Sequence, residues 1–179
     1  RILKGANHSS KVVPMKKYIL LSVAALAISV PAMAAEENIP GDFSTTIGFV
    51  SEYSFRGISQ SDESPALQGS IDWSHDSGFY AGVWGSNVDF NDGDEAHVET
   101  DVYAGYSGEI EGFTYDVGAI YYSYPGADSD LDYDFYEGAL SLGYDFDVAA
   151  VSAAVNYSPD YFAGSGDATY VAGYVDVPV

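Results

Sequence analysis

The sequence predicts an all-β fold, an antiparallel up-and-down transmembrane β-barrel of which eight strands are visible. Three observations predict it. Large apolar residues recur on every second position over repeated stretches, each near the ~9–11 residues that cross a bilayer as a tilted strand. The connections between these stretches alternate between short and long, and aromatic residues gather near the stretch ends.

The stretch Ser44 to Ser61, STTIGFVSEYSFRGISQS, sets the pattern. Ile47, Phe49, Tyr53 and Phe55 share one side, and Thr46, Gly48, Glu52, Ser54 and Arg56 the other. Successive side chains of a strand point to opposite faces, so such a segment can separate an oily surrounding from a polar interior. The expected strands are 44–56, 66–75, 79–88, 97–107, 113–124, 133–144, 148–158 and 168–177. Long connections at 57–65, 89–96, 125–132 and 159–167 alternate with short ones at 76–78, 108–112 and 145–147, the outer-membrane arrangement.

Facing follows from which alternate set is apolar. Leu67, Ile71 and Trp73 oppose Gln68, Ser70 and Asp72; Val98, Val102, Ala104 and Tyr106 oppose Glu99, Asp101 and Tyr103. Val117 and Tyr121 oppose Asp116; Leu140 and Leu142 oppose Glu137; Val151 and Val155 oppose Ser152 and Asn156. In the third and last strands the phase is ambiguous, because Tyr80, Trp84, Tyr170 and Tyr174 fall on the side otherwise read as inward. Phe79, Phe113, Tyr144 and Phe146 stand beside short turns and Phe55, Phe90, Tyr124 and Tyr133 beside long loops, where interface girdles belong. A soluble barrel or sandwich is the alternative, with the apolar face packed inward and the acids outside.

The ends divide the chain into 1–14, an upstream non-native segment; 15–34, a signal peptide; and 35–179, the barrel. Met15-Lys16-Lys17, the apolar run 18–30 and Ala32-Met33-Ala34 read as a secretory leader cut between Ala34 and Ala35. Five of the six basic residues lie in or before that leader and all 27 acids beyond it, so Arg56 alone opposes the acids and the mature charge is −26. That balance argues against nucleic acid and anionic membrane surfaces as partners. Cysteine is absent, so no disulfide or thiolate metal site can staple the fold.

The alternation sends Glu52, Asp72, Glu99, Asp101, Asp116 and Glu137 inward against one Arg56. An eight-stranded barrel is just wide enough for side chains to fill, and burying unpaired carboxylates there is costly. We therefore expect ~10–12 strands around an aqueous lumen in the complete protein. Carboxylates ringing one arginine imply a preference for cations; the plainer role for Arg56 is to pair with one nearby carboxylate.

Three other chemistries are weighed. Residues 89–95 carry clustered acids that suit Ca²⁺ or Mg²⁺, but their spacing departs from an EF-hand loop, and we expect no metal and no cofactor. A lipid-modifying enzyme would need a base, for which His75 and His97 are the mature chain's histidines; with no G-x-S-x-G or H-E-x-x-H, and Gly164-Ser165-Gly166 read as a hairpin tip, we expect no enzyme. The third class is a non-conducting barrel that anchors or adheres through its loops.

The segments GFVSEYSFRGISQS at 48–61, GFYAGVWGSNV at 78–88, ETDVYAGYSGE at 99–109, and NYSPDYF and GSGDATYV at 156–162 and 164–171 together resemble the TorF-type porin family. The resemblance implies a Gram-negative outer-membrane barrel, embedded among lipid and lipopolysaccharide, passing small polar solutes or cations by diffusion, and a possible homo-oligomer. It also implies a C-terminal truncation, since relatives continue beyond Val177-Pro178-Val179 and end on an aromatic strand.

Overall fold

A computed structural model describes residues 26–31, 39–91, 96–146 and 148–178. The segment 1–14, most of the expected leader with its scission point, and residues 92–95 of the acidic loop lie outside the described residues. The chain is all-β. Its long strands are β1 (Leu26–Pro31), β2 (Asp42–Val50), β5 (Ala66–Ser74), β6 (Phe79–Asn87), β7 (Val98–Ile110), β8 (Phe113–Ser123), β9 (Phe135–Asp145), β10 (Ala150–Ser158) and β11 (Ala168–Asp176), with a small hairpin of β3 (Ser54–Phe55) and β4 (Ile58–Ser59).

The long strands form one antiparallel sheet in the order β1-β2-β5-β6-β7-β8-β9-β10-β11, so every step joins sequence neighbours apart from the side hairpin. Among the described residues β2 and β11 do not pair with each other, and the sheet is not closed into a barrel. β1 falls inside the stretch read as a leader and pairs from Leu26↔Phe49 to Pro31↔Ser44. An unpaired strand edge presents bare N–H and C=O groups, and this backbone pairing satisfies those of β2. No helix among the described residues is long and apolar enough to cross a membrane.

Short turns set the register. The connection expected over 108–112 contracts to Glu111-Gly112, because β7 runs on to Ile110 and pairs it directly with Phe113. Glu111 (φ 50°) and Gly112 (φ 81°) both take positive φ, the requirement of a two-residue hairpin turn that follows the strand twist.

The larger correction concerns the stretch 44–61. Its alternation predicts one strand to residue 56, but β2 ends at Val50 and the chain leaves the sheet. The β3–β4 hairpin then reverses over Arg56 (φ 51°) and Gly57 (φ 84°). Tyr53 and Phe55, expected on the outer side with Ile47 and Phe49, instead join the interior: Tyr53 is 1% exposed, while Ile47 is 61% exposed.

Elsewhere the predicted facing holds. Phe49, Leu67, Ile71, Val102, Val117, Leu140 and Val155 are exposed, whereas Glu99, Asp101 and Glu137 are buried. The two ambiguous strands resolve the same way. On β6 Phe79 and Val83 face out, while Tyr80 bonds Asp116 and Trp84 packs on Tyr53 inside. On β11 Val171 and Val175 face out and Tyr170 lies under the Arg56 guanidinium.

Apolar burial is concentrated at the long-loop end. Val50, Tyr53, Ala66, Val88, Ala96, Tyr122, Tyr124 and Phe135 form a core on which Phe90, Tyr133, Tyr161 and Phe162 pack from three loops. Edge-to-face contacts of Phe90 with Tyr124, Tyr133 and Phe162, at 5.4 to 5.6 Å between ring centroids, tie those loops together.

Candidate functional site: a carboxylate layer beneath an aromatic cap

The inward face of β7 carries Glu99, Asp101 and Tyr103 on successive alternate positions, and β9 contributes Glu137. Above this layer lies the aromatic cap, and the β3–β4 hairpin delivers one cation into it. Arg56 Nη1 and Nη2 donate to Glu137 Oε1 and Oε2, each at 2.7 Å. Asn156 Nδ2 at 3.3 Å and the Tyr122 hydroxyl at 3.4 Å donate to the same carboxylate, so Glu137, 1% exposed, is well supplied with donors. The guanidinium also lies over the rings of Phe55 and Tyr170, at 4.6 and 4.3 Å from their centroids. Burial opposes the Arg56 charge, but hydrogen bonds and charge from Glu137 outweigh it and hold the guanidinium above its ordinary value.

Tyr53 anchors the other side of the hairpin. Its hydroxyl donates to Glu99 Oε1 at 2.9 Å, its N–H donates to Ser61 Oγ at 3.0 Å, and its carbonyl accepts from Gln60 N at 2.7 Å. Burial pushes the Tyr53 and Tyr124 phenols up, with the carboxylates of Glu99 and Asp101 adding to it. Both therefore remain hydrogen-bond donors well into alkaline conditions.

Further along the face, Asp72 accepts from Ser70 Oγ at 2.7 Å and from the Tyr103 hydroxyl, and Asp116 accepts from the Tyr80 hydroxyl at 2.7 Å. Glycines make room for these rings. A Cβ on Gly105 would lie 2.4 Å from the Tyr80 hydroxyl and 2.7 Å from the Val117 carbonyl oxygen, and one on Gly82 would meet the Tyr103 ring.

Of the residues the sequence sends inward, the structure brings Glu99, Asp101, Glu137 and Arg56 into one layer and sets Asp72 and Asp116 apart, each with its own tyrosine. Glu52 lies half-buried in the link after β2, off the strand on which its facing was predicted. Sequence reasoning missed Tyr53, Tyr80, Tyr103, Tyr122 and Asn156 as partners of the acids. The available signal was phase: Tyr80, Tyr103 and Tyr122 alternate with apolar residues as the inward carboxylates do.

His97 is exposed while Glu99, two residues on, is buried; His75 Nδ1 meets Ser77 Oγ at 2.6 Å beside a short turn, away from the carboxylate layer. Among the described residues no three His, Cys, Asp or Glu side chains are placed to hold a metal ion.

No curated protein and no solved structure matches the chain. A family model described as a bacterial protein of unknown function, Gcw_chp, matches residues 34–179. With every strand from β2 to β11, the buried acids and the aromatic cap inside that span, the chain belongs to the Gcw_chp family of bacterial proteins.

Proposed function

We propose that this protein is an exported outer-membrane β-barrel of porin type, whose acidic interior passes small hydrophilic solutes with cations preferred over anions. The observation that carries the reading is the inversion of polarity across the sheet. Ile47, Phe49, Leu67 and Val102 are 51–61% exposed, while Glu99 and Glu137 on the opposite face are at most 2% exposed. A soluble sheet protein buries its apolar face and hydrates its acids; a wall facing lipid does the reverse. The up-and-down connectivity and the alternating loop lengths support the same reading, as does the resemblance to TorF-type porins.

Cation preference follows from charge. One Arg56, already neutralised by Glu137, leaves the other inward carboxylates to set the sign of the interior field. The test is planar-bilayer recording of the full-length protein across a salt gradient. Reversal potentials favouring cations uphold the reading, and potentials favouring anions overturn it.

A second reading has its own support. The aromatic cap packs loops across the long-loop end, which favours a non-conducting barrel that anchors or binds through those loops. Silent bilayers, together with lipid contact at Phe49, Val102 and Leu140, would select it.

A further inference from the structure

We propose that Glu99 and Asp101 bind a small monovalent cation, an alkali ion stripped of part of its water, at the base of the aromatic cap. The two carboxylates stand two residues apart on one face of β7, and they are 2% and 9% exposed. Glu99 receives the 2.9 Å hydrogen bond from Tyr53. Asp101 Oδ1 is buried and receives no hydrogen bond from any described residue. The arginine of the layer is committed, with both terminal nitrogens on Glu137.

Two carboxylates thus share a buried site with no counter-charge of their own. Carboxylates held away from water need a counter-charge or a full set of donors; Glu99 is met by Tyr53, Tyr124 and Asp101, but the pair has no counter-charge and Asp101 Oδ1 has no donor. The oxygens present suit an ion of low charge. Glu99 and Asp101 supply anionic donors, and the phenols of Tyr53 and Tyr124, beside Glu99, supply neutral ones. A divalent ion asks for more carboxylate ligands than converge here, since no metal-holding trio exists among the described residues. A monovalent ion needs fewer, and it is released readily enough for an ion to move on. The assignment names a specific station for the cations in the reading above, and its role in passage rests on that reading.

Trp84 provides the probe. It is the register partner of Asp101 across the β6–β7 pairing, and its ring lies 5.4 Å from that of Tyr53. The full chain in detergent micelles, carrying Trp73→Phe so that Trp84 is the one tryptophan, is titrated with Na⁺ against choline at constant ionic strength and fixed pH. We expect a saturable change in Trp84 emission. Its midpoint rises by about tenfold or more in Asp101→Asn and in Glu99→Gln, and it stays put in Glu109→Gln, an exposed acid at the far end of β7.

No Na⁺ response in the otherwise unaltered protein overturns the site, whether or not the variants fold. So does an equal response in Asp101→Asn, or emission that follows pH and ignores Na⁺, which would assign the missing charge to a proton. A Na⁺ response in a protein silent in bilayers upholds the site and removes passage. Cation-selective conductance without a Na⁺ response removes the site alone.

Discussion

Arg56 and Glu137, 81 positions apart in sequence, meet through two 2.7 Å hydrogen bonds on the inward face of the sheet. The bond joins the tip of a hairpin that has left β2 to β9 near its long-loop end, so it fixes the cap to the wall. Removing either partner strands the other charge in a buried setting. Arg56→Ala or Glu137→Ala should each cost about 3–5 kcal/mol of stability, and the double variant less than the sum of the two. Denaturant unfolding in micelles checks this, and additive losses would show that the pair is not coupled.

The outer face makes a prediction that separates a lipid-facing from a water-facing wall. Val102→Arg places a cation in the middle of the exposed face of β7. If that face meets hydrocarbon, the change costs about 2–4 kcal/mol and impairs folding into lipid vesicles. On a hydrated surface it would cost nearly nothing. Refolding yield into vesicles, compared with Val102→Leu, reads the difference.

Gly105→Ala should disturb the interior through a ring. The added methyl would crowd the Tyr80 hydroxyl and also the Val117 backbone oxygen, so moving the tyrosine alone does not relieve it. We expect a loss of about 1–3 kcal/mol. Tyr80→Phe in the same background restores part of it by removing the nearest of the clashing atoms, and thermal unfolding of the two variants reads the recovery.

Alkaline pH should loosen the cap. Burial raises the Tyr53 and Tyr124 phenols above the ordinary value of about 10, so above that pH the unfolded chain gives up protons that the folded chain keeps. Stability is then intact below pH ~10 and falls as pH rises beyond it. Absorbance of tyrosinate followed with unfolding should show these two phenols ionising together with loss of structure, and Tyr53→Phe should shift the loss to higher pH.

The wall was legible in the sequence because period-two alternation is a local property. Leu67, Val102 and Leu140 could be assigned to the outer face, and Glu99, Asp101 and Glu137 to the inner one, without any long-range information. The departure of the chain at Val50 was not legible. SEYSFRG keeps the alternation of a strand while forming a hairpin, and only Gly57 hinted at the positive φ that the turn demands. The acids were identified and their partners were not. Which tyrosine reaches which carboxylate depends on cross-strand register and on glycines such as Gly105, and neither can be read from one strand at a time. The expected hydration of every inward carboxylate also missed the aromatic cap, because side chains from 90, 133 and 162 converge only once the loops fold over.

Arg56 enters the interior on a reverse turn, while Glu99, Asp101 and Glu137 stand on strands of the wall. Framework and counter-charge thus come from different elements. Exchanging hairpin residues around Arg56 changes the strength of the enclosed field from an insert that carries none of the ladder hydrogen bonds of the large sheet, at the cost in stability already given for Arg56→Ala.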